Sequence, residues 1–241
     1  LMAVAPHATL HLVNLSLVDG VAAYGGAISV APFGELVCER VFFDRNGAIL
    51  GGAVHVGPGA RVRLLGVLFE RNVAAWYGGA VWLSLNSSLE VFDAQAGRNA
   101  AGYSGPVICA TCQSFGAISL DGKLGGQNAA DESDVAVVTP RYEPAQPLYR
   151  EHDDAAGVRS QLWDPSRVSI VHMILLDNYA LDADDVPELY TFLDFVDAHV
   201  VLEGIRFWLG AAGSGGEFNS MIAAYGERTS LELTNASLNL Q

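Results

Sequence analysis

From Ala8 the chain alternates apolar and polar residues, bends, alternates again and closes on Gly or Asn, and this thirteen-residue pattern keeps returning. Its windows open at Ala8, Gly34, Ala60, Ser87, Gly116, Ser166, Ala198 and Thr229, the first three steps being 26, 26 and 27 residues. The third position reads Leu10, Leu36, Val62, Leu89, Ile118, Val168, Val200 and Leu231. The fifth reads Leu12, Cys38, Leu64, Val91, Leu120, Ile170, Leu202 and Leu233. Between them stand mostly polar residues such as His11, Arg63, Glu90 and Glu232. Period-two alternation predicts a strand with one buried face. Cys38 then reads as a small core residue.

Three further positions complete the unit. The tenth (Leu17, Phe43, Phe69, Ala96, Leu175, Phe207) is a third inward column. The seventh (Asn14, Arg40, Gly66, Asp93, His172, Gly204, Asn235) reads as an exposed bend. The last carries Asn46, Asn72, Asn99, Asn128 and Asn178. Gly and Asn tolerate positive φ, so this column predicts a recurrent corner. Stacked Asn amides also predict a hydrogen-bonded ladder. After the corner comes a second block, "GGAISV" from Gly25, "GGAVHV" from Gly51, "GGAVWL" from Gly78, "SGPVIC" from Ser104 and "SDVAVV" from Ser133. Its glycines read as a tight corner before another strand, and not as a phosphate or cofactor loop.

A unit this short cannot bury its inner face alone, whereas stacked units bury one continuous core. The expectation is an all-β, right-handed parallel β-helix of about eight rungs, forming a single domain over 1–241. An inserted loop is expected at 139–165, where prolines cluster, and an acidic loop at 182–190. "MAVAP" from Met2 matches "ISVAP" from Ile28, and neither end reads as a cap, so the segment is expected to belong to a longer solenoid.

Composition narrows the function classes. Apolar residues make up 51% of the chain, yet no run is long enough to span a bilayer as a helix. The net charge of −14 offers no basic stripe for nucleic acid. Of the three cysteines, Cys109 and Cys112 lie in "CATC", which reads as a local disulfide or two free thiols.

F-x-x-N (Phe43 with Asn46, Phe69 with Asn72) together with G-G-A-[ILV] (Gly25–Ile28, Gly51–Val54, Gly78–Val81) resembles the repeats of the polymorphic outer membrane protein family, autotransporter-like bacterial surface adhesins. The resemblance covers Ala8 to Gly105 well. It implies an extracellular β-helical stalk that displays a surface for adhesion.

The residues suggest surface features more than chemistry. Sequons at Asn14, Asn86 and Asn235 are candidate N-glycosylation sites. The ninth position, with Phe42, Leu68, Leu124 and Ile174, is expected to face outward and to meet a partner: another protein chain or a flanking domain of the same chain. Asp44 and Glu70 with Arg45, Arg71 and Arg98 read as an outer corner of interleaved charges. The acidic run Asp177, Asp182, Asp184, Asp185 and Glu188 lacks EF-hand spacing and reads as a solvated loop. No catalytic, metal or cofactor residue is assigned. The expected function is a structural or adhesive module of an extracellular or cell-surface protein. The alternative is a polysaccharide-active lyase or hydrolase of pectate-lyase type with its site on an outer face.

Overall fold

The computed structural model describes residues 2–110, 165–176, 178–180, 191–209, 220–226 and 228–240. These form the expected parallel β-helix of about six turns. A first sheet stacks Met2–Val4, Ile28–Val30, Val54–Val56, Val81–Leu83, Ile108–Ala110, Thr191–Val196 and Ser220–Tyr225 in that order. A second, bent sheet has two flanks. Thr9–Val13, Glu35–Glu39 and Arg61–Leu65 lie before the bend, and Ser16–Val18, Phe42–Asp44 and Leu68–Glu70 after it. Ser88–Gly97 and Ser166–Leu176 run through the bend, and Ala198–Glu203 with Arg206–Leu209 and Ser230–Thr234 with Ser237–Leu240 continue the two flanks. A third, smaller sheet joins Gly47–Leu50, Val73–Tyr77, Ala100–Ala101 and Tyr179–Ala180.

Seven rungs, and so six steps from first to last, are stacked among the described residues, against about eight rungs expected. Leu89 pairs directly with Val168, and Ile108 with Leu193. The windows opening at Gly116 and Ser133 therefore supply no rung between their neighbours. Their residues, including Leu124 and Asn128, lie outside the described residues, as does the expected inserted loop from 139 to 164. The tenth position of the Gly116 window is Gly125. A glycine brings no side chain to the column that the other rungs fill with Phe43, Phe69, Ala96 and Leu175. The expected acidic loop at 182–190 also lies outside the described residues.

The three inward columns make the core. Leu36, Cys38, Phe43, Val62, Leu64, Phe69, Leu89, Val91, Val168, Ile170 and Leu175 are all buried. Phe43 stacks on Phe69 with ring centroids 4.9 Å apart.

At the bend, Asn14, Arg40, Asp93, His172 and Asn235 have φ between 52° and 56°, and Gly66 and Gly204 have φ of 59° and 66°. Every described rung thus turns here through the left-handed region. Side chains in that region cost about 1–2 kcal/mol, which the ladder offsets. The amide of Arg40 donates to the Leu65 carbonyl at 2.8 Å, and that of Gly66 to Phe92 at 2.8 Å.

The corner works differently from the sequence expectation. The left-handed residue is the one before the Asn (Arg45, Arg71 and Arg98), and before Gly20 on the first rung (Asp19). Asn46, Asn72, Asn99 and Asn178 instead turn inward, buried, as a ladder. Each Asn donates to the next amide oxygen at 2.9–3.0 Å, from Asn46 to Asn72 to Asn99 to Asn178. Each also donates to a carbonyl of the preceding rung: Leu17, Phe43, Phe69 and Ala96. Asn99 bonds Asn178 directly, so Asn128 has no place between them.

Candidate functional site

The outer surface offers four arrangements. The first is a groove of about 400 Å³ along the bend, lined by Asp93, Ala94, Gln95, His172, Ile174, Gly204, Arg206 and Asn235. The left-handed turns bring Asp93, His172, Gly204 and Asn235 into one file on successive rungs. His172 Nδ1 lies 3.3 Å from Asp93 Oδ1, and both side chains are exposed. Among the described residues, Asp93 is the only carboxylate in the lining. Glycoside hydrolysis by the usual route uses two carboxylates flanking the bond.

The second arrangement is the corner ladder of charges. Arg45 meets Asp19 at 2.7 Å and Asp44 at 2.6 Å. Arg71 meets Asp44 at 2.9 Å, and Arg98 meets Glu70 at 3.0 Å. The hydrogen bond from Arg45 holds the Asp19 carboxyl below its usual range. The sequence suggested an outer corner of interleaved charges, and Asp44 is buried there between two guanidiniums. Losing either guanidinium would leave that carboxylate short of a partner in a dry site. The ladder consumes its charges internally.

The third is the ninth-position column. Leu68 pairs with Phe42 on one side and Gln95 on the other, and Gln95 pairs with Ile174. The structure thus joins Phe42 and Leu68 but separates Ile174 from them by one exposed glutamine. Leu124 lies outside the described residues. Ser16 and Arg206 flank the stripe, and its three described apolar residues are half-buried.

The fourth, which the sequence reading missed, is the outer face of the first sheet. His55 stacks on Trp82 with ring centroids 5.0 Å apart, and Tyr24 meets it at a tilt, 5.1 Å away. Next to them Tyr77 and Cys109 are buried among Leu50, Trp76, Tyr103 and Val196, a small second core outside the solenoid. The signal was present: Tyr24, Leu50, Tyr77 and Tyr103 each stand just before the Gly pair or its equivalent. Burial pushes His55 down to about 4, so it is neutral at physiological pH. Burial pushes the Asp194 carboxyl up, partly offset by the Ser104 and Tyr225 hydroxyls. Cys109 is disulfide-bonded, and Cys38 is a free, buried thiol. Cys112 lies outside the described residues.

The sequons occupy two kinds of turn. Asn14 and Asn235 are exposed at the bend. Arg40 Nε donates to Asn14 Oδ1 at 2.6 Å, which leaves the amide nitrogen, the atom a glycan would join, out of that bond. Asn86 is half-buried at a left-handed turn between the first and second sheets. Among the described residues no group of three or more His, Cys, Asp or Glu side chains is placed to hold a metal ion.

No family model, no curated protein and no solved structure matches this chain. The surfaces themselves therefore carry the functional argument.

Proposed function

We propose that the chain is a structural and adhesive module of a large extracellular, cell-surface β-helical protein that meets other protein chains or flanking domains through its sides. The observation that carries this reading is the kind of surface the rod presents. One edge is a file of left-handed turns with two exposed sequon asparagines. Beside it runs the half-buried apolar pair Phe42 and Leu68. The Asn and Arg–carboxylate ladders support a rigid rod, as a stalk requires. The acidic balance suits a surface that stays soluble and repels non-specific polyanions.

Mass spectrometry of the native protein from fractionated cells tests the location. Sugar on Asn14 or Asn235 in the surface fraction is expected. Bare asparagines on a cytosolic chain would overturn it. The contact surface is tested with beads carrying the protein, whose adhesion to cells is expected to fall in the double variant Phe42→Asp, Leu68→Asp.

The second reading, a polysaccharide-active enzyme, draws on the bend groove with its Asp93–His172 pair and Arg206. Release of reducing or unsaturated ends from a panel of acidic and neutral polysaccharides, abolished by Asp93→Asn, would favour it over adhesion.

A further inference from the structure

The bend carries one arrangement twice. In the first copy, Arg40 Nε donates to Asn14 Oδ1 on the preceding rung, and a Cβ at Gly66 on the following rung would fall 3.7 Å from Arg40 Cγ. In the second, His172 Nδ1 lies 3.3 Å from Asp93 Oδ1 on the preceding rung, and a Cβ at Gly204 on the following rung would fall 2.5 Å from His172 Cδ2. Each unit is thus an acceptor, a basic side chain and a glycine on successive rungs, set in register by the strands that lead into the bend. The ninth position keeps the same phase. Half-buried Phe42 stands beside Arg40, and half-buried Ile174 beside His172. Exposed Ser16 and Gln95 stand beside the acceptors, and Leu68 and Arg206 beside the glycines. The two columns border one outward channel, and the groove of about 400 Å³ lies along its second unit. That volume is in the range of about 300–1,000 Å³ usual for ligand sites.

Charge sets the channel apart. Arg45, Arg61, Arg63, Arg71 and Arg98 are each paired with a carboxylate. Arg40 and Arg206 are exposed and, among the described residues, in no ion pair. In a chain of net charge −14 these guanidiniums stay open to an outside anion. With rungs about 4.8 Å apart, Arg40 lies about 14 Å from His172 along the rod and about 19 Å from Arg206. A compact anion reaches one of these groups. A linear polymer with anionic groups at intervals reaches all three. Sugar units also lay apolar ring faces on Phe42 and Ile174 and offer hydroxyls to Asp93 and Gln95.

We propose that the bend channel binds a linear acidic polysaccharide along the rod axis, with Arg40 and Arg206 taking its carboxylate or sulfate groups. This rests on the reading of a surface module that makes contacts through its sides, and it adds a ligand class to that reading. No bond of the polymer need be cut.

Biolayer interferometry of the 241-residue chain against alginate, dextran sulfate, neutral dextran and polyglutamate tests this. The chain is produced in a host that adds no N-glycans, because Asn14 and Asn235 border the channel. Alginate or dextran sulfate is expected to bind, alginate alone assigning carboxylates and dextran sulfate alone sulfates. Dextran lacks the charge and polyglutamate the ring faces and hydroxyls, so neither is expected to bind. Arg40→Gln and Arg206→Gln, both at exposed positions, should each weaken binding about tenfold, the contribution of one bond to a charged group. Arg167→Gln removes an equal charge from an exposed arginine outside the channel and should leave binding unchanged. Circular dichroism checks the fold of each variant. Failure of both acidic polysaccharides to bind, equal binding of polyglutamate, or an equal loss in Arg167→Gln overturns the inference. Bead adhesion that falls in Phe42→Asp, Leu68→Asp but is untouched in the Arg40→Gln, Arg206→Gln double variant overturns the polysaccharide as ligand and leaves the adhesive reading standing.

Discussion

Replacing Asn72 by alanine strikes the centre of the amide ladder. The side chain is fully buried and makes four hydrogen bonds. It donates to Phe43 O and to Asn99 Oδ1, each at 3.0 Å. It accepts from the amide of Asn46 at 3.1 Å and from Asn46 Nδ2 at 2.9 Å. Asn99 Oδ1 keeps a donor in Asn72→Ala, because the Asn72 backbone N–H also points to it at 3.0 Å. The Asn46 amide, the Asn46 side chain and one acceptor site of Phe43 are left short. Each buried orphan costs about 1–3 kcal/mol, and partial relaxation of Asn46 brings the sum to about 3–5 kcal/mol. That is a large part of the roughly 5–15 kcal/mol a folded domain has in hand. Urea unfolding followed by tryptophan fluorescence and circular dichroism measures it. A lowered m-value alongside the lowered midpoint would mean that the rungs on either side of Asn72 no longer unfold together. Asn72→Asp keeps acceptors but removes both donors and buries a charge, so it should cost at least as much. Asn14→Ala loses one exposed bond and puts alanine at a φ of 52°, so it should cost only about 1–2 kcal/mol. The reasoning fails if Asn72→Ala is no worse than Asn14→Ala.

Acid should weaken the fold through His55. Its folded value of about 4 lies below the ordinary 6.5, so the unfolded chain takes up the proton first, and up to about 3 kcal/mol present above pH 6.5 is lost as pH falls toward 4. Urea midpoints taken across that window should show a slope that His55→Phe flattens while keeping the ring stack. Gly52→Ala would press a methyl against the Gly79 carbonyl and 2.6 Å from that of Val73, whereas a methyl at Gly47 meets nothing within 4 Å. Thermal melts should therefore show a loss of several degrees for the first and no loss for the second. The Cys38 thiol, buried and pushed up to about 12, should resist a thiol reagent at pH 8 until the chain is unfolded.

The inward columns were legible because a strand buried on one face must repeat apolar residues with period two, and stacking forces neighbouring rungs to agree. The bend was legible for a related reason: Asn14, Gly66, Gly204 and Asn235 are types that accept positive φ. Arg45, Arg71 and Arg98 hid the corner, since arginine in that region is no sequence signal and the neighbouring Asn drew the inference instead. The burial of Asp44 was hidden too, because it depends on guanidiniums reaching from its own and the adjacent rung. The window at Gly116 shows the limit of pattern. Two aliphatic residues at the right spacing satisfy the alternation, but only strand pairing decides which rung lies beside which. Of the candidate sites, the sequence placed the bend and the apolar column. It did not place the His55–Trp82 stack, whose members come from separate second blocks and meet only through register.

Between the first and second sheets the chain turns over 57–60 on one rung and 84–87 on the next, and on the rung that follows the flanking strands are separated by 55 residues in sequence, 111 to 165. The flanking strands nevertheless pair in unbroken register. Closing a connection about fourteen times longer costs only about 2 kcal/mol, because the penalty grows with the logarithm of its length. The register of the stack therefore does not depend on the length of this connection. Whole domains of other origin can be spliced in there, or the native insert exchanged for the four residues Gly57 to Ala60, and the strands above and below keep their places.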